Sequence, residues 1–530
     1  MPIVRAAYLA DRNYLLGGRL IPVGIRDQLV RVHHFIDRAI EQGVLQDKDT
    51  NPLVIVGGGV AGVAAAMHAA FRGIKSIVVE QRRDVLLLQR QCLTRHLCPT
   101  QYDWPITHYW QGSFPLSRDL PSSAVPWTRG LAKSVANTLK ARFKKYQRQK
   151  DITVYRQSRC VAAIPAAGTA SVSVPVVISD PAGAFRATVT AQAVLNTVGV
   201  GEERCYLIHN DPNPKDPSAP KHDPSQPSYI VRGYRFWETD KYDRPRCAVA
   251  KGTPYKVLVA GAGDGALQDL LRLVLKPDAG GGFYAANFYR ALRRDVAGRA
   301  PRRRRGAVAK RAIQDLCDVK QLIDDANRDF LAGSQDAHDT AYLQRIHAGM
   351  AAVVRRLLGN PATGPSVWAF VRSRLRADLP DELRFVHKHD FYVHCYPLNR
   401  FLALLVLEVL KAGGPGRFIE HPFCKVVDIE AHDPAIYPQP FRPPSPGPPP
   451  PGMTHADGDP KISHGQLHRV TVEEQRPPSP SGLAGGPPKP TRFAFDASVF
   501  VLRLGIDDSV FEKAFTAVRQ RQLLPYSYKC

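Results

Sequence analysis

Acidic residues are in short supply: 48 Asp and Glu stand against 72 Lys and Arg, a formal net charge of +24 over 530 residues. Such an excess invites a polyanionic partner. Much of it is local, because Arg290, Arg293, Arg294, Arg299, Arg302, Arg303, Arg304, Arg305, Lys310 and Arg311 share one short segment. Aromatic residues almost vanish from that segment after Tyr289, and it matches no nucleic-acid-binding motif. A solvated insertion is expected there, and a nucleic-acid partner is not. Cysteine is also sparse. The nine present follow no repeating framework, in a chain too large to need disulfide staples. No zinc spacing occurs; His387, His389, His394 and Cys395 read as alternation along a strand, so no metal is expected. A continuous apolar segment before a small-residue cleavage site is missing from the N-terminus, which makes a reducing cytoplasm the expected setting.

One run lacks charge altogether. Residues 53–71 contain no Asp, Glu, Lys or Arg, close to the roughly 20 apolar residues of a membrane span. Three consecutive glycines and His68 make it a poor lipid-facing segment, so no span is expected. The same run has a better explanation. Leu53-Val-Ile-Val is an apolar strand, Gly57, Gly58, Gly59, Val60, Ala61 and Gly62 form a turn entering a small-residue helix, and Ile77-Val-Val-Glu80 is a second strand ending in an acid. Gly57 permits the tight turn, Gly59 lets backbone approach a pyrophosphate, and Gly62 lets helix pack on strand. The helix N-terminus offers amides and partial positive charge to phosphates. Glu80 stands where a carboxylate would accept ribose hydroxyls.

A second turn repeats this logic. Tyr255-Lys-Val-Leu-Val-Ala leads into Gly261, Gly263 and Gly265, then into a helix with apolar residues at helical spacing. Between the turns, residues 128–148 read as a basic helix and Ile152-Thr-Val-Tyr as a short strand. Residues 170–179 and 184–191 read as a hairpin around Asp180-Pro-Ala-Gly, and Ala193 to Asn196 as a strand entering Gly199. A strand of the same kind ends at Gly505, and before it Leu398 to Leu410 reads as an apolar helix and Phe418 to Ile429 as a single strand. The fold expected is α/β, with two Rossmann-like dinucleotide-binding domains, a helical insertion in the second and Pro-rich surface loops at 433–460 and 475–490. The expected division is a helical extension at 1–50, the first domain at 51–205 and a connecting segment at 206–254. The second domain starts at 255–280, is interrupted by the basic insertion 281–380, and resumes at 381–510 before a C-terminal segment, 511–530.

With these motifs the chain resembles the flavoproteins with two dinucleotide-binding domains, the grouping of flavin-containing monooxygenases, N-hydroxylating monooxygenases and pyridine-nucleotide disulfide reductases. The resemblance covers most of residues 50–275 and 380–510, at superfamily level. The spacing of the two turns is nearer the monooxygenases, whereas the N-terminal extension and the helical insertion match none of these subfamilies well. The resemblance implies FAD at Gly57, Gly59, Gly62 and Glu80, with NADPH or NADH at Gly261, Gly263 and Gly265. It further implies an oxidoreductase that takes hydride from the nicotinamide and acts on a small-molecule substrate, with oxygenation as one outcome. If Glu382 to His389 is the second strand of the second domain, its basic end favours NADPH slightly.

Tyr102, Asp103, Trp104 and His108 lie in an aromatic, non-periodic loop that could line a flavin site or pack an interface; both readings stand. Cys92 and Cys98 have five intervening residues where the disulfide reductases have four. A working dithiol would need a loop bringing their Cα atoms within about 7 Å. Two further functions compete with the nicotinamide-driven enzyme: a flavin oxidase reduced by its own substrate, and a non-catalytic nucleotide-binding protein whose basic insertion recruits a partner.

Overall fold

The computed structural model describes residues 4, 7–10, 12–16, 20–21, 24–47, 50–98, 129–149, 151–162, 173–180, 182–199, 202–211, 223, 225–278, 282–299, 322, 335–361, 363–393, 395–413, 416–434, 465–475, 491–504, 506–507 and 522–523. Most of the Pro-rich loops, most of the arginine-rich segment, the aromatic loop around Tyr102 and residue Gly505 fall outside them.

The chain begins with two short strands, β1 (Tyr8–Ala10) and β2 (Asn13–Leu15), followed by helix α1 (Ile25–Glu41). Then come β3 (Leu53–Val56), α2 (Val60–Phe71), β4 (Ser76–Glu80), α3 (Ala132–Gln149) and β5 (Ile152–Arg156). An antiparallel excursion follows, through β6 (Arg159–Ala162), β7 (Val174–Ser179) and β8 (Phe185–Ala191), before β9 (Ala193–Asn196) returns to the first sheet. The strand order is β1-β2-β9-β3-β4-β5, parallel except at β1.

Alternation explains why β3 is apolar throughout. Leu53 and Ile55 pack on the helix side with Val63, Ala66 and Met67. Val54 packs on the opposite side with Val174, Val176 and Ile178 of β7. A parallel strand covered on both faces needs a continuous hydrophobic run.

The N-terminal segment departs from a purely helical extension. Tyr14 of β2 lies opposite Leu195 of β9, so the segment extends the sheet beyond β9. Without β2, the backbone groups along that edge would have no ladder partner. The segment expected as a connector also contains structure: β10 (Tyr206–His209) pairs with β11 (Tyr229–Arg232).

The second sheet uses β12 (Lys256–Ala260), followed by α4 (Asp264–Val274), α5 (Ala285–Arg299), α6 (Gln335–Gly359) and α7 (Gly364–Arg374). It continues with β13 (Glu382–Val386), α8 (Pro397–Lys411) and β14 (Arg417–His421). A second antiparallel excursion, β15 (Cys424–Ala431), β16 (His468–Glu474) and β17 (Arg492–Ala497), precedes the returning strand β18 (Val499–Leu502). The order is β14-β13-β12-β18, all parallel.

The second order matches β5-β4-β3-β9 of the first sheet. In both, the chain leaves after the third strand, makes three antiparallel strands and returns beside the first. The protein is therefore α/β with two Rossmann-like sheets. Helices α5, α6 and α7, between α4 and β13, form the insertion, and Tyr289, Ile346, Met350 and Phe370 share one core with Leu405 of α8.

One expected strand is two. The apolar stretch from Phe418 to Ile429 breaks at Pro422 and Phe423, so that β14 joins the parallel sheet and β15 the antiparallel one. Proline has no N–H for the ladder, and Phe423 adopts φ 56°. The strand expected to reach His389 also stops early, at Val386. Beyond it the backbone of His387 pairs with the far side of the bend, its N–H donating to His421 O at 3.1 Å and its carbonyl accepting from Cys424 N–H at 2.9 Å.

Candidate functional site

The first glycine turn is built by close approach. Gly57 has φ 102°, a left-handed conformation that favours glycine. Its N–H donates to Val79 O at 2.8 Å, tying the turn to β4. A Cβ on Gly62 would fall 1.8 Å from Gly57 O, so helix α2 can meet the turn only through a glycine. Gly59, the residue that caps α2, differs: a Cβ there would meet nothing within 4 Å. The amides of Gly59, Val60 and Ala61 have no acceptor among the described residues. The first turn of α2 holds no acid. Free donors, a positive helix end and open space together suit an anionic group.

Glu80 lies against this turn. Its Oε2 accepts from Gly58 N–H at 2.6 Å and its Oε1 from Arg82 N–H at 2.7 Å. The residue is 9% exposed. Burial pushes its carboxyl above the ordinary value, against the pull of the Arg82 and Gly58 amides. Each oxygen retains a further acceptor direction for a hydroxyl.

Thr197 completes the arrangement, and the motif does not reveal it. It follows β9, donates from its N–H to Val56 O at 2.8 Å, and its Oγ1 lies 3.0 Å from both Val56 O and Gly57 O. Leu86 closes the other side, its N–H donating to Gly58 O at 2.8 Å. In the sequence this side of the turn is marked by the strand entering Gly199, which has φ 86° and open space where a Cβ would lie.

The second turn repeats the backbone hydrogen bonds that hold the first. Gly261 has φ 108° and its N–H donates to Val386 O at 2.9 Å, as Gly57 does to Val79. Arg503 takes the place of Thr197, its N–H donating to Ala260 O at 2.8 Å. A Cβ on Gly261 would fall 2.2 Å from Arg503 O. Gly263 caps α4 as Gly59 caps α2. In this register Gly265 packs on Phe236, and Ala266 corresponds to Gly62.

Two correspondences carry different chemistry. Val60 corresponds to Asp264, and Glu80 to His387. Asp264 Oδ1 accepts from Asn399 Nδ2 at 2.6 Å and from Tyr396 N–H at 3.1 Å, while Oδ2 accepts from Gln268 Nε2 at 2.6 Å. Loss of solvent around the carboxyl raises it to about 6, although these three donors pull it down. His387 is buried; its Nε2 lies 3.1 Å from Glu420 Oε1 and its Nδ1 2.5 Å from His389 O. Of the basic trio expected at the strand end, only Lys388 and His389 are exposed.

The remaining candidates divide. Tyr102, Asp103, Trp104 and His108 lie outside the described residues. Cys92 and Cys98 are both buried and not joined in a disulfide, Cys92 in the core of the first sheet and Cys98 in that of the second. Among the described residues there is no group of three or more His, Cys, Asp or Glu placed to hold a metal. Nor is any helix among them long and apolar enough to cross a membrane.

No protein-family pattern matches the chain, and no curated protein matches it. Solved structures similar to it include the ornithine N-hydroxylase of Kutzneria, described with reduced FAD, NADP+ and L-ornithine. That similarity has 16% identity and a TM-score of 0.33, and covers 87% of this chain and 83% of that one. The bacillithiol disulfide reductase of Bacillus cereus is similar at 10% identity and TM-score 0.34, over 88% and 81% of the two chains. Thioredoxin reductase of Lactococcus lactis is similar at 10% identity and TM-score 0.32, over 86% and 77%. At these scores the likeness carries no argument, so the description of the fold stands on the two strand orders and the bonding of the two turns.

Proposed function

We propose that the chain is an FAD-dependent oxidoreductase that takes hydride from NADPH or NADH and acts on a small-molecule substrate. The observation that supports this reading is the first turn, where glycine is sterically required at Gly62 yet leaves open space at Gly59. A βαβ core without a ligand would need the first of these and not the second. In this reading Gly57, Gly58, Gly59, Val60, Ala61 and Gly62 cradle the FAD pyrophosphate, and Glu80 accepts ribose hydroxyls. Gly199, beyond the end of β9, is assigned to the same site in this reading. FAD, when bound, supplies an electron-accepting ring for hydride chemistry. The chain's own contribution is to bind, orient and control water access. Tyr102, Asp103, Trp104 and His108 remain the candidates for lining the reaction site.

A second reading, a flavin oxidase reduced by its own substrate, is favoured by one observation: the acid Asp264 at the second turn. Anaerobic mixing of the FAD-loaded protein with NADH and NADPH separates the two. Bleaching of the flavin by either nicotinamide supports the first reading. FAD uptake without bleaching by either at any pH supports the second. Absence of FAD uptake contradicts both.

A further inference from the structure

Positive charge gathers on one helix of the first domain. Residues 129–162 hold ten Lys and Arg against a single acid, Asp151, so the stretch cannot neutralise itself. Helix α3 lies within it and contains no acid at all. Its apolar side, made by Ala136, Leu139, Phe143 and Tyr146, is buried. The outward side carries Lys133, Lys144, Lys145 and Arg148, all exposed and without an ion pair among the described residues. Lys133, Lys144 and Arg148 follow one another at whole turns of the helix, a stripe about 22 Å long, and Lys145 flanks it. We propose that this face of α3 is a docking surface for an anionic lipid bilayer, which it meets by charge without crossing. The proposal is independent of which ligands the two glycine turns hold.

A solvated helix face ordinarily mixes both signs, because like charges four residues apart, such as Lys144 and Arg148, destabilise the helix. The helix dipole favours positive charge near Gln149, but it opposes Lys133 in the first turn. The elements packed against α3 offer little compensation. Neither α2 nor β5 contains an acid. From the short helix Leu87–Gln91, Arg90 Nε donates to Asn137 Oδ1 of α3 at 3.0 Å and adds a further cation. Asp84, ahead of that helix, is already held by Arg90 and Lys140. The uncompensated stripe therefore suits a surface of fixed negative charge, to which each Lys or Arg is drawn within a Debye length. Two observations favour lipid over nucleic acid. Phe143 and Tyr146 face the core, so α3 offers no exposed ring on which a base could stack. Leu88, on the short helix, and Leu93 just beyond it are 37% and 48% exposed. Such apolar side chains gain by entering a headgroup layer and gain nothing beside a phosphate backbone.

The test is co-sedimentation of the full-length protein with vesicles of phosphatidylcholine alone and of phosphatidylcholine carrying about 30% phosphatidylserine, at about 0.05 M and about 0.5 M salt. At low salt the wild type is expected to bind the anionic vesicles at least about tenfold more tightly than the neutral ones, and at high salt to lose that preference. A variant combining Lys133→Gln, Lys144→Gln, Lys145→Gln and Arg148→Gln is expected to bind the anionic vesicles at least about tenfold more weakly. A second variant, combining Arg302→Gln, Arg303→Gln, Arg304→Gln and Arg305→Gln, removes as much charge from the arginine-rich segment. It is expected to stay within about threefold of the wild type. Thermal unfolding of each variant establishes that it is folded. Should the α3 variant fail to fold, Lys133→Gln with Lys144→Gln, and Lys145→Gln with Arg148→Gln, decide as two separate pairs, each expected to weaken binding. No preference for anionic vesicles, undiminished binding by the α3 variants, or a loss confined to the arginine-segment variant would each overturn the proposal. Tighter binding to a short DNA duplex than to the anionic vesicles at the same salt would reassign the face to nucleic acid and overturn it as well.

Discussion

Gly59 and Gly62 separate two demands that a glycine motif leaves mixed. Gly62 is required by the protein itself, since a methyl group would press into Gly57 O. Gly62→Ala is expected to cost about 1–3 kcal/mol of stability by overpacking, read from urea unfolding. Thr197→Val keeps the volume and removes the hydroxyl that braces Val56 O and Gly57 O. It is expected to cost about 1 kcal/mol in the same assay. An unchanged midpoint would show that the brace contributes nothing. The glycines could be read from the sequence because each answers a backbone constraint within a short stretch of chain. Thr197 could not, because it reaches the turn from a strand 140 residues away, and only the sheet order brings it there. Asp264 was visible as a letter, but its role depends on donors from a helix well over a hundred residues further on.

At the scale of elements, apolar runs marked β3, β4, β12 and α8 correctly because each is buried on both faces or all around. Short edge pieces escaped. β2 is only three residues long and takes its identity from β9. The strand expected from 418 to 429 divides because Pro422 and Phe423 turn the chain between two sheets. That turn is held from beneath by Glu420, which bonds to His387 and pairs with Lys411 at 2.7 Å. Burial pushes the Glu420 carboxyl up, yet His387 and Lys411 outweigh it and hold it at about 2, below the ordinary 4.5. A depressed acid contributes stability above its unfolded value and loses it as pH falls through the folded one. Glu420→Gln is therefore expected to lower stability by about 1–3 kcal/mol near neutrality. The gap from wild type should close as the pH falls from 4.5 towards 2, when followed by thermal unfolding. A gap of constant size across that range would contradict the assignment.

Across the whole molecule, buried charges join the two sheets. Arg95, from the chain following β4, bonds to Asp269 of α4, and Arg503 after β18 bonds to the same carboxylate at 2.6 Å. Arg272 pairs with Asp240 and Asp243 alongside, and Arg503 reaches Glu203 at 2.7 Å. Burial works against the ionised Asp269, but the three arginines hold its carboxyl well below the usual range. Removing that charge leaves buried guanidinium groups uncompensated. Asp269→Asn is expected to cost about 3–5 kcal/mol. Two resolved unfolding transitions would show that this network couples the halves, whereas a single transition at the wild-type midpoint would deny it any such role. None of this was legible in the sequence, since a buried ion network has no periodicity and its members lie far apart in the chain.

The central claim, that the first turn is shaped around FAD, is tested most directly at Gly59. A methyl group there meets no protein atom within 4 Å, so Gly59→Ala should unfold at the wild-type temperature. The same methyl group would stand in the path of a pyrophosphate. Titration with FAD, followed by flavin fluorescence, should show saturable uptake by the wild type and at least about tenfold weaker uptake by Gly59→Ala, roughly 1.4 kcal/mol. Equal affinity of the two proteins, or no uptake by the wild type, would contradict the account.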